Sequence, residues 1–87
     1  MLTVYSKNNC PYCEKAKHLL TTQGIEFKTV MIDEDPEARE WLIGQGHRSA
    51  PQIYLGDALF VEGGYQGLAR LSDEELFNKL GDSNVSN

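Results

Sequence analysis

The sequence predicts an α/β domain with the element order β-α-β-α-β-β-α. Three observations carry that prediction. In the first half, short β-prone apolar runs alternate with segments of helical periodicity. Two strands joined by a helix form a right-handed unit with parallel strands. The second half adds two short apolar runs separated by only two residues, the spacing of a hairpin.

Each element has a local reason. Leu2 to Tyr5 is a short β-prone run, followed by the polar turn Ser6-Lys7-Asn8-Asn9. From Pro11 to about Gln23 the chain is helical, with Ala16, Leu19 and Leu20 on one face and Gly24 as a left-handed stop. His18 belongs to the surface of this helix. Ile25 to Ile32 alternates and is rich in β-branched and aromatic residues, so it reads as the second strand.

Asp35-Pro36 opens a second helix, with Asp as N-cap and Pro at the first position. It runs to about Ile43 and is ended by Gly44 and Gly46. Trp41 falls at helical spacing with Ala38 and Leu42, as a packing residue does. Gln52 to Leu55 and Ala58 to Val61 are strands joined by Gly56-Asp57, a link suited to a primed turn. Gly63-Gly64 breaks the last strand, and Tyr65 to Arg70 is a short helix. Ser72 to Glu75 has capping-box spacing and opens a final helix through Leu76, Phe77 and Leu80, closed by Gly81. The expectation is one domain over residues 1–81 and a flexible polar tail over 82–87.

Composition narrows the function. With 87 residues and 40% hydrophobic content, the chain suffices for a single core. Its net charge of −5 argues against general nucleic-acid binding. No apolar run approaches a membrane span, and the first residues lack the pattern of a signal peptide, so a cytoplasmic, monomeric protein is expected. Acidic residues cluster at Asp33 to Asp35 and at Asp73 to Glu75. Lys7, Lys15, Lys17 and Arg48 lie toward the cysteine end, a polarity that suits a small anionic thiol substrate.

Both cysteines lie in Cys10-Pro11-Tyr12-Cys13. Pro11 fits the first helical position, which places Cys10 at the N-cap. There, unsatisfied N–H groups and the helix dipole favour thiolate over thiol. Cys10 is therefore expected to be the acidic, exposed, attacking sulfur. Cys13, one turn further on, is placed to resolve a mixed disulfide. A zinc site would need two further ligands. His18 and His47 match no common zinc spacing, so no metal is expected. Inert core thiols are the plainer alternative, against which stand Pro11 and the strand-turn-helix context.

The element order with this motif resembles the thioredoxin fold in its small form, and the sequence resembles glutaredoxins from Leu2 to about Leu80. The features that carry the resemblance are Lys7 before the first cysteine, Cys10-Pro11-Tyr12-Cys13, Ala50-Pro51-Gln52-Ile53 and Gly63-Gly64-Tyr65. The resemblance implies a thioredoxin-like, four-stranded mixed sheet flanked by helices, with Pro51 after a cis bond facing the cysteines. It also implies glutathione as co-substrate, lying across Lys7, Tyr12, Ser49, Ala50 and Pro51, with a carboxylate toward Gly64, Tyr65 and Gln66. Read from the residues alone, Pro51 also fits a strand-initiating trans proline.

The implied activity is glutathione-dependent reduction of protein disulfides and glutathione mixed disulfides, with ribonucleotide reductase as the leading protein client. Two departures bear on it. Gln66 and Gly67 stand where glutaredoxins usually carry acidic residues, and Ser49-Ala50 replaces Thr-Val. Asp35 to Ala38 and Gln45 to Arg48 resemble instead the NrdH-redoxins, which draw electrons from thioredoxin reductase. An iron-sulfur cluster carrier is an alternative of another class, disfavoured by Pro11.

Overall fold

The computed structural model describes residues 1–84. The strands are β1 (Leu2–Ser6), β2 (Phe27–Met31), β3 (Gln52–Leu55) and β4 (Ala58–Leu59). The helices are α1 (Pro11–Thr22), α2 (Pro36–Gly44), α3 (Gly64–Ala69) and α4 (Asp73–Asn84). The sheet order is β2-β1-β3-β4, with β1 and β2 parallel and β1–β3 and β3–β4 antiparallel. This is the expected four-stranded mixed sheet flanked by helices.

Alternation along β1 and β3 divides the interior into two layers. Val4 pairs with Ile53 and Leu2 with Leu55. On that face they meet Ala16 and Leu20 of α1, Leu68 of α3 and Leu76 of α4 in the main core. Tyr5 and Tyr54 point the other way, where Trp41 of α2 packs on both, at ring-centroid distances of 5.8 and 5.0 Å. Trp41 is thus the half-buried packing residue its spacing indicated.

Local causes act where they were expected. Asp35 accepts a 3.1 Å bond from the Ala38 N–H, and Ser72 and Glu75 exchange the two bonds of a capping box, at 2.9 and 3.1 Å. Gly24 is left-handed (φ 73°), as is Gly56 in the two-residue hairpin link (φ 67°).

Several boundaries differ from the expectation. β2 begins at Phe27 rather than Ile25, because Ile25 turns into the core instead of joining the ladder. β4 is two residues long, and Phe60 and Val61 leave it for the core. Gly44 lies inside α2, and Gly46 takes the left-handed position (φ 94°). Helix α4 runs through Gly81 to Asn84: Gly81 has no positive φ, and a helix interior tolerates glycine at about 1 kcal/mol. The division expected at 81/82 therefore falls within a helix, and the remainder of the expected tail, 85–87, lies outside the described residues. Phe77, placed in this helix, is 48% exposed.

Candidate active site

β1 carries the chain to the redox pair, and two local features aim it. Asn9 is the one non-glycine residue with positive φ (55°) among the described residues, a conformation asparagine tolerates better than most. The Asn8 N–H donates to Asp33 at 2.8 Å, tying this turn to the end of β2. The chain then enters Cys10 in extended conformation and starts α1 at Pro11.

Cys10 and Cys13 form a disulfide, with Cα atoms 5.2 Å apart. The Cys13 N–H points at the Cys10 sulfur at 3.3 Å, the N-cap contact expected to stabilise an anion there. On another side the sulfur lies 3.8 Å from the Ala50 carbonyl oxygen. Cys13 is 0% exposed and Cys10 7%, so only Cys10 offers a surface to a partner. The expectation of an exposed Cys10 is corrected accordingly: in the disulfide form the sulfur is buried among α1 and the Ala50 segment.

The Ala50–Pro51 bond is cis. Pro51 is buried, and the Gln52 side-chain amide donates back to the Ser49 carbonyl at 2.9 Å, folding the segment that faces Cys10. Two glycines seat the opposite wall. A Cβ on Gly64 would collide with the Pro51 carbonyl oxygen, and one on Gly67 with the Glu62 carbonyl oxygen. The absence of side chains there lets the 62–67 turn lie directly on the Pro51 segment.

Between these walls lies a groove of about 540 Å³. It gathers Tyr12, Ser49, Ala50, Pro51, Gly64, Tyr65 and Gln66, every residue of the expected ligand set except Lys7. Lys7 lines a second cavity of about 370 Å³, together with Arg39 and Arg48 and across the shared Ser49–Ala50 segment. Other lysines near the motif have side-chain partners of their own. Lys17 pairs with Glu14 at 2.9 Å, and the Lys15 ammonium sits 5.1 and 5.9 Å from the ring centroids of Tyr12 and Tyr65. The positive surround expected for the thiols is thus partly dispersed.

Several groove residues were not among the expected ligand contacts. Glu62 lines it, as does His47, whose Nε2 lies 2.6 Å from the Tyr54 hydroxyl. Burial, and secondarily the neighbouring Tyr5, pushes the Tyr54 phenol above its usual range. Gln52 also lines the groove; the sequence placed it in a strand and in the Ala50-Pro51-Gln52-Ile53 motif, but not as a ligand contact. Among the described residues, no group of three or more His, Cys, Asp or Glu side chains could hold a metal ion.

An N-cap cysteine that keeps a small exposed surface, a fully buried partner one turn on, and a cis-proline segment against them define a thiol-disulfide exchange centre. The family model for glutaredoxin matches residues 2–60, and the chain belongs to the glutaredoxin family. It is a thiol-disulfide oxidoreductase. The match stops at residue 60, short of the Leu80 to which the resemblance was expected to run.

A glutaredoxin-like protein NrdH of Lactococcus lactis subsp. cremoris is 47% identical over 60 residues, covering 69% of this chain and 83% of that protein. Among solved structures, Escherichia coli NrdH-redoxin, described as having a thioredoxin-like activity profile, superimposes with a TM-score of 0.65. It is 31% identical and covers 82% of this chain and 93% of its own. A buckwheat glutaredoxin–glutathione complex superimposes with a TM-score of 0.74 at 26% identity, covering 93% and 76%.

Proposed function

We propose that this protein is a redoxin of the NrdH kind, reduced by thioredoxin reductase and delivering electrons to ribonucleotide reductase. The observation that carries this reading is the 47% identity to an NrdH protein over 60 residues, 69% of this chain. The groove supports it. No Lys or Arg lines it and Glu62 does, a poor match for the two carboxylates of glutathione.

The exchange uses only the two cysteines. The Cys10 thiolate attacks one sulfur of a substrate disulfide, forming a mixed disulfide, and the other substrate sulfur leaves and takes a proton. Cys13, losing its proton, then attacks the Cys10 sulfur. That closes the Cys10–Cys13 disulfide and releases the second substrate sulfur, which is protonated in turn. Two electrons pass from protein to substrate, and a reductase must return them. The cytoplasm, where such dithiols are kept reduced, is the compartment this scheme requires.

The second reading is a dithiol glutaredoxin that uses glutathione. It is favoured by the groove bringing together every expected contact except Lys7. The test measures reduction of a protein disulfide driven by NADPH and thioredoxin reductase, in parallel with glutathione and its reductase. Efficient turnover with the first and little with the second is expected. The reverse result assigns the protein to the glutathione-dependent class.

A further inference from the structure

The groove beside the cysteine pair is lined by one formally charged side chain. Of the side chains that line it, only that of Glu62 is formally negative, and none belongs to Lys or Arg. The carboxylate is exposed, with no ion-pair partner among the described residues. Lys15 lies over the rings of Tyr12 and Tyr65, Lys17 pairs with Glu14, and Lys7, Arg39 and Arg48 line the other cavity.

The backbone holds Glu62 in place. Its carbonyl lies where a Cβ on Gly67 would fall, and the next turn is seated on Pro51 through Gly64. The carboxylate therefore projects from a packed turn rather than a loose loop. Leu59, Pro51 and Tyr65 supply low-dielectric walls around the same groove, which concentrate its field. Glu62 also lies beyond the family-matched span of 2–60, and the neutral Gln66 stands where the family resemblance would place an acid.

We infer that Glu62 is a specificity residue, selecting disulfides that carry an ammonium or guanidinium group beside the half-cystine. The inference rests on the thiol-disulfide exchange reading of the same groove. An exposed pair of this kind discriminates modestly, by about two- to fivefold in rate.

The experiment uses pre-reduced protein in single turnover, so that no recycling reductase enters. Its substrates are short peptide disulfides in which the cysteine is flanked by Lys, Gln or Glu. The Lys peptide is expected to react about two- to fivefold faster than the Gln peptide, and the Glu peptide slower, with the differences collapsing in 1 M salt. The readout is the Lys-to-Gln rate ratio, in which any general loss cancels. Glu62→Gln should bring it to one, Glu62→Asp should retain it, and Glu62→Lys should invert it. Glu26→Gln, which removes the same charge from the far end of β2, should retain it.

Equal rates for the Lys and Gln peptides in the wild type, or a preference that survives Glu62→Gln or disappears equally in Glu26→Gln, overturns the inference. If no peptide is reduced at all, the exchange reading itself fails. Glutathione disulfide against its N-acetylated form distinguishes the source of the cation. A response of that pair to Glu62→Gln assigns it to a free amino group, and a response of the Lys peptide alone assigns it to protein side chains.

Discussion

At the scale of single residues, the two sulfurs differ in one respect that decides their roles: Cys10 has a sliver of exposed surface and Cys13 has none. With the Cys13 N–H directed at the Cys10 sulfur, the attacking anion should form at Cys10, below the free-thiol pKa of about 8.5. Limited alkylation of the reduced protein at mildly acidic pH should label Cys10 first, and preferential labelling of Cys13 in peptide maps would reverse the assignment. Cys10→Ser should abolish turnover. Cys13→Ser should instead accumulate a mixed disulfide with substrate, visible as an added mass that dithiothreitol removes. Asn9 is a quieter contributor. Because its φ is 55°, Asn9→Ala should lower stability by about 1 kcal/mol while Asn9→Gly should not, as read by denaturant midpoints.

Among the elements, α2 and α3 show two ways in which a helix start is specified. Helix α2 depends on a side-chain cap. Asp35→Ala removes the acceptor of the Ala38 N–H and should lower stability by about 1 kcal/mol, with little effect on disulfide reduction. Helix α3 has no side-chain cap and depends on absent side chains instead. Gly63 and Gly64 have φ of 84° and 58°, and Gly64 lies against the Pro51 carbonyl. Gly64→Ala should therefore cost about 1 to 3 kcal/mol and also displace the wall of the groove. A fall in peptide-disulfide rate larger than that of Asp35→Ala at matched stability would separate the two mechanisms. Equal losses of rate would show that only stability matters.

For the molecule as a whole, β1 and β3 are covered on both faces, by the main core on one side and by Trp41, Tyr5 and Tyr54 on the other. Ile53, fully buried and paired with Val4, stands at the centre of the first layer, and Ile53→Ala should cost about 2 to 5 kcal/mol. The second layer contributes a pH dependence. Tyr5 is held above tyrosine's ordinary pKa of 10.0, by burial first and by Asp35 second, and Tyr54 is raised by burial and then by Tyr5. A raised pKa means that the fold prefers the neutral phenol. This part of the stability is thus fully present below pH 10 and is lost as pH rises through the raised values. In alkaline unfolding followed by Trp41 fluorescence, Tyr5→Phe should shift the midpoint upward. A midpoint unchanged from wild type would mean that Tyr5 does not govern the transition.

What the sequence determined by itself was whatever rests on interactions within a few residues. The Asp35 and Ser72 caps, the turns at Gly24 and Gly56 and the placement of Cys10 before Pro11 all follow from spacing, because the partners are chain neighbours; the packing face of Trp41 follows from helical periodicity, though not which rings it meets. The cis bond at Pro51 was not legible from its own residues and was expected only through a family resemblance. Tertiary structure decided the rest. It alone brought residues 62–67 onto the Pro51 segment, placed Glu62 in the groove and moved Lys7 into a separate cavity. It also buried the Cys10 sulfur against Ala50 and joined His47 to Tyr54. These contacts bring together segments that meet only when the sheet and helices pack, and no periodicity along the chain records which side chains will face one another there.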